Sequence, residues 1–169
     1  TPRLLSRVHT RVDMEKELHK AIGTDQLQLY YQPIFKTQHG ELYGAEALLR
    51  WKHPERGHIP PAEFIPIAED SDLIIQLGAW VLENAIETAA QWNKTIDRQE
   101  FHIAVNMSSR QFQQDSNSIE LIEKYLTKFG LAPHLLNIEI TESLMMEDRF
   151  NVTSKLNVLN KMGVGLSID

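Results

Sequence analysis

The sequence predicts an α/β domain with a parallel sheet, and three observations carry that prediction. Strand-like and helical segments alternate from residue 27 onward, the order that builds such sheets. Four of the strand-like segments have one apolar face and one face carrying a polar oxygen-bearing side chain near its C-terminal end. The chain has 169 residues, 42% of them hydrophobic, enough for one compact domain with a sizeable core.

Taken in order, residues 4–22 space Leu4, Leu5, Val8, Val12, Leu18 and Ile22 at roughly helical intervals among charged residues, which predicts a helix. Residues 1–24 are expected to be a helix or linker arriving from an upstream domain, with the main domain over 25–169. LQLYYQPIFK (27–36) and ELYGAEALLRW (41–51) read as strands joined by TQHG, a hairpin. KHPERGHIPP (52–61) is rich in turn residues and is expected to be a loop; irregular spacing makes His53 and His58 solvated loop histidines rather than a metal pair.

A short helix through Phe64, Ile67 and Ala68 follows, then a longer one through Leu73, Leu77, Trp80, Val81, Ile86 and Trp92, whose stripe reads as core. FHIAVNMS (101–108) is strand-like, with His102 a packed strand residue. IELIEKYLTKFG (119–130) is a helix ending at Gly130, with Glu120, Glu123 and Lys124 on its solvated face. LNIEIT (136–141) is the next strand, residues 148–162 the next helix with Gly163 as its stop, and VGLSID (164–169) the last strand.

Composition excludes several function classes. There is no cysteine, hence no disulfide framework, thiolate nucleophile or cysteine-based zinc site. The 17 basic and 23 acidic residues leave a net charge of −6, which argues against DNA or broad nucleic-acid binding. No apolar run reaches the roughly 18 residues of a membrane span, and the first residues lack a signal peptide's apolar core. A cytoplasmic location is therefore expected, with any membrane anchor elsewhere in a parent protein.

The chemistry appears when each strand is sorted into two faces. Tyr43, Ala45, Ala47 and Leu49 oppose Gly44, Glu46, Leu48 and Arg50; Ile103, Val105 and Met107 oppose Ala104 and Asn106. Ile138 and Ile140 oppose Asn137 and Glu139, and Leu166 and Ile168 oppose Ser167 and Asp169. In a parallel array Glu46, Asn106, Glu139 and Asp169 would gather at one end, where α/β folds place ligands. Crowded carboxylates repel unless a cation neutralises them, and an all-oxygen set suits Mg²⁺ or Mn²⁺. Arg50 lies four residues beyond Glu46, on the order of 13 Å at ~3.3 Å per residue, where a guanidinium could grip a phosphate. Metal and arginine together point to phosphoryl chemistry.

At these residues the sequence resembles the EAL domain family, whose naming motif stands here as Glu46, Ala47 and Leu48. The resemblance runs through YQPI (31–34), EALLRW (46–51), PAEFIPIAE (61–69), VNMSSRQF (105–112), EITES (139–143) and LSID (166–169), in family order. It implies a TIM-type (β/α)8 barrel with an antiparallel first strand, of which this chain holds about the first five strands. It also implies hydrolysis of cyclic di-GMP to linear pGpG with two Mg²⁺ or Mn²⁺ ions, Ca²⁺ binding without supporting activity. Carried over by position, Glu46, Asn106, Glu139 and Asp169 look like metal ligands, Glu46 also being a catalytic residue. Gln32, Leu48 and Arg50 look like substrate contacts, and Glu142 looks like the catalytic residue steadying the loop after the last strand. A homodimer and an upstream cyclase-like or sensory domain are further implications. Family members continue past the position of Asp169 with residues the chemistry uses, so the 169-residue chain alone is expected to be weak or inactive. The alternative is a catalytically inactive cyclic di-GMP sensor or assembly module.

Overall fold

A computed structural model describes residues 2–95, 100–141 and 149–168. In chain order come helix α1 (Pro2–Ala21), strands β1 (Leu27–Phe35), β2 (Leu42–His53) and β3 (Gly57–Ile59), helices α2 (Pro61–Asp70) and α3 (Leu73–Thr95), and strand β4 (His102–Met107). Helices α4 (Ser109–Gln114) and α5 (Ser118–Phe129), strand β5 (Leu136–Ile140), helix α6 (Arg149–Met162) and strand β6 (Gly165–Ile168) follow. The sheet order is β1-β2-β4-β5-β6, with β3 paired to β2. β1 runs antiparallel to β2, while β2, β4, β5 and β6 are mutually parallel. The α/β class and the antiparallel first strand are as the sequence predicts.

One face of this sheet is apolar because the odd-numbered positions of β2 and β4 and the even-numbered positions of β5 point the same way. Ala45, Ala47, Ile103, Val105, Met107, Ile138 and Ile140 bury there against Leu82, Ala85 and Ile86 of α3 and Ile122 and Leu126 of α5. A second cluster joins Met14, Leu18 and Ala21 of α1 to Trp51, Ile59, Phe64 and Leu77. Among the described residues no helix is long and apolar enough to cross a membrane.

The structure corrects the expected loop over residues 52–61. β2 continues to His53 and pairs with β3, Trp51 opposite Ile59 and His53 opposite Gly57. Burial of the Trp51–Ile59 pair draws the hairpin together, and Gly57 supplies the left-handed backbone (φ 71°) that its turn needs. His53 is correspondingly buried rather than solvated. Its Nδ1 accepts from the backbone N–H of Glu55 at 3.2 Å and of Arg56 at 3.1 Å, while Nε2 lies 3.6 Å from Glu17 of α1. His58 is exposed, as expected, and His102 is half-buried, stacked on Tyr43 at 4.0 Å with its pKa lowered by that burial.

Helix α4 has no counterpart in the sequence reading, because six residues are too few to display a helical period. It starts where Ser108 Oγ accepts the Gln111 N–H at 3.1 Å, a serine N-cap, and is anchored by fully buried Phe112. Lys155 of α6 donates to the carbonyl of Phe112 within the helix and to that of Asp115 at its C-cap, and burial lowers the Lys155 pKa.

Gly44 permits the close approach of β2 to β4. A Cβ there would lie 2.2 Å from the His102 carbonyl oxygen, a backbone atom that cannot swing aside. Gly44→Ala is therefore expected to lower stability by about 1–3 kcal/mol, read as a shifted midpoint in chemical denaturation; an unchanged midpoint would refute the close packing.

Candidate functional site

The other sheet face carries the polar side chains. In the β1–β2 pair, Gln32 is opposite Glu46, Tyr30 opposite Leu48 and Gln28 opposite Arg50, and directly paired residues project to the same face. On the other side of β2, Glu46 pairs with Ala104, which puts Asn106 one step further along β4; Asn106 in turn pairs with Glu139 of β5. Three strands thus bring Glu46, Asn106 and Glu139 side by side, a juxtaposition that depends on parallel register.

The contacts follow this register. Asn106 Nδ2 donates to Glu46 Oε1 at 2.7 Å. On β6, Ser167 Oγ accepts from Asn137 Nδ2 at 2.7 Å and lies at 3.5 Å from Glu139 Oε1, at the limit of a hydrogen bond. Ser167, directly opposite Glu139 in the β5–β6 register, thus links Asn137 to the Glu139 carboxylate. Ser109 Oγ and Thr141 Oγ1, 2.7 Å apart, tie the start of α4 to the end of β5. Asn106 is exposed and Glu46 half-buried, so both are open to a ligand.

A cleft of about 320 Å³ opens beside these residues. Leu48, Arg50, Asn106 and Glu139 line one side, and Pro61, Ile65, Ile74 and Leu77 from α2 and α3 supply an apolar wall. A few polar groups facing an apolar wall is the usual make-up of a small-molecule site. Arg50 is half-buried at its lip. Its Nη1 donates to the Leu49 carbonyl at 2.9 Å, and its Cζ sits 5.6 Å from the centre of the Tyr30 ring. Among the described residues Arg50 has no carboxylate partner. That leaves a cationic fork with N–H groups to spare, suited to a phosphate.

Two expected site residues, Glu142 and Asp169, lie outside the described residues. Of the four expected metal ligands the structure brings together Glu46, Asn106 and Glu139. Among the described residues no group of three or more His, Asp or Glu side chains gathers into a metal-holding cluster. The donors present are two carboxylates and one amide oxygen, which fit a hard divalent cation. The sequence places Asn137 and Ser167 on the polar face without giving them a role, and it does not single out Tyr30. Sorting β1 by parity, as was possible for the other strands, would have placed Tyr30 beside Gln32 on the polar face.

Residues 15–169 match the EAL domain family. The chain is 39% identical over 90% of its length to 22% of MucR of Pseudomonas aeruginosa, named a bifunctional diguanylate cyclase/cyclic di-GMP phosphodiesterase. It is 35% identical over its whole length to 25% of PdeR of Escherichia coli, named a cyclic di-GMP phosphodiesterase. The chain thus spans about a fifth to a quarter of the curated relatives it matches. A solved MucR phosphodiesterase in complex with cyclic di-GMP superposes with a TM-score of 0.87 at 38% identity, covering 93% of this chain and 63% of that one. The sheet described above corresponds to part of the barrel in such neighbours.

Proposed function

This chain belongs to the EAL domain family, and from that premise we propose that its complete domain hydrolyses cyclic di-GMP to linear pGpG in a Mg²⁺- or Mn²⁺-dependent reaction. The single observation that carries this reading is the side-by-side placement of Glu46, Asn106 and Glu139 beside a cleft whose lip holds Arg50. Relatives named as phosphodiesterases for this dinucleotide support the same substrate.

The reaction adds one water across one phosphodiester. A P–O bond forms to the water oxygen, the P–O3′ bond breaks, and the 3′ oxygen leaves with a proton. Divalent cations held by Glu46, Asn106 and Glu139, with Asp169, would supply an activated water and offset charge at phosphorus and the leaving oxygen. Arg50 grips a non-bridging phosphate oxygen, opposing its negative charge and fixing the angle of approach. Leu48 and the α2–α3 wall cover the ligand's apolar surface and thin the water around it, which strengthens the Arg50–phosphate attraction. Gln32, opposite Glu46, offers a neutral amide to the ligand without adding another charge.

The deciding assay incubates the full-length protein with cyclic di-GMP and follows pGpG by chromatography. Product is expected with Mg²⁺ or Mn²⁺ and none above background with Ca²⁺, a larger ion tolerant of irregular coordination. Tight binding without product in Mn²⁺ would make the domain a sensor instead. Full turnover with Ca²⁺ alone would overturn the assignment of the cation's role.

A further inference from the structure

Arg50 stands between two clefts. One is the cleft shared with Asn106 and Glu139; the other, about 560 Å³, is lined by Tyr30, Arg50, His58, Ile59, Pro60 and Pro61. An arginine in that setting has many rotamers, and freezing its side chain costs conformational entropy. A carboxylate neighbour would freeze it but would also neutralise the charge and occupy the N–H groups. Tyr30 offers another solution. Tyr30, 48% exposed, lies on the same face of β1 as Gln28, the residue opposite Arg50, two residues further along the strand. The Arg50 Cζ is 5.6 Å from the ring centre, within reach of a cation–π attraction. Nη1 is held from the strand side by the Leu49 carbonyl.

We infer that Tyr30 is a positioning residue, its ring face holding the Arg50 guanidinium ready for a phosphate of the cyclic dinucleotide while leaving its charge and outward N–H groups free. The inference rests on the proposed function, since it assigns Tyr30 to the same ligand. Tyr30 touches no reacting atom in this role; it acts through Arg50. The hydroxyl plays no part, because the attraction comes from the ring quadrupole.

The test compares wild type, Tyr30→Phe, Tyr30→Leu, Arg50→Ala and the Tyr30→Leu/Arg50→Ala double variant of the full-length protein. Measurements are kcat and KM for cyclic di-GMP with Mn²⁺, calorimetric binding with Ca²⁺, and thermal melting. Tyr30→Leu is expected to lower kcat/KM by roughly 3- to 10-fold with an unchanged melting temperature, as befits a half-exposed position. Tyr30→Phe, which keeps the ring, is expected to stay within about twofold of wild type. The double variant is expected to be no worse than Arg50→Ala, because the ring has nothing left to hold. Equal losses in Tyr30→Phe and Tyr30→Leu would assign the effect to the hydroxyl and overturn the inference. Full additivity in the double variant, or no loss in Tyr30→Leu, would overturn it too. Should Tyr30→Leu melt early, a Tyr30→Gln variant carries the same expectation, and loss without coupling to Arg50 again refutes it. A wild type that binds and cleaves the dinucleotide, with Tyr30→Leu unaffected, removes this inference alone. A wild type that does neither removes the proposed function, and the role of Tyr30 with it.

Discussion

Replacing Glu46 by glutamine should lower hydrolysis of cyclic di-GMP by on the order of 10³-fold, about 4 kcal/mol of transition-state stabilisation, while leaving the fold intact. The substitution is nearly isosteric, and a glutamine Oε1 can still accept the 2.7 Å hydrogen bond from Asn106 Nδ2. What disappears is one negative charge from a set with two carboxylates and an amide. That charge is what draws a divalent cation, so the loss falls on cation binding and turnover rather than on packing. Rates of pGpG formation across a Mn²⁺ titration, alongside melting curves, separate the two. A variant with wild-type kcat at ordinary Mn²⁺ would remove Glu46 from the proposed machinery.

The largest expected effect on stability is at Trp51, where alanine should cost about 3–5 kcal/mol. Trp51 is fully buried, and its ring meets Phe64 edge-on at 5.5 Å and His53 at 5.6 Å. Its Nε1 lies 3.4 Å from Gln26 Oε1, and its cluster includes Leu18 of α1. One ring therefore joins the N-terminal helix, the β2–β3 hairpin and α2, and truncation leaves a cavity that no single neighbour can fill. Against a typical stability of about 5–15 kcal/mol, that is a large share, and a fall in melting temperature on the order of 10 °C is expected. A loss below about 1 kcal/mol would mean that the surrounding side chains close over the site.

Particular residues show how far the sequence could be read. Glu46, Asn106 and Glu139 were legible as one face because side-chain direction alternates along any strand, whatever the strand pairs with. The EAL, VNMSSRQF and EITES segments were legible as a family because six separated motifs in order leave little room for coincidence. His53 was not legible. It sits among turn residues that look like loop, and only the pairing of Trp51 with Ile59 buries it. Helix α4 was likewise hidden, since its N-cap at Ser108 and anchor at Phe112 are too close together for periodicity to appear.

By itself, then, the sequence determined the α/β class, the antiparallel opening hairpin and which oxygen-bearing side chains share a strand face. Those properties follow from local backbone geometry and hydrophobic alternation, which nearby residues set. Only the tertiary structure decided that Asn106 sits between Glu46 and Glu139, that Arg50 rests against Tyr30, and that α1 joins the buried cluster around Trp51. Neighbours across strands are chosen by register and by long-range burial, and no local period encodes either.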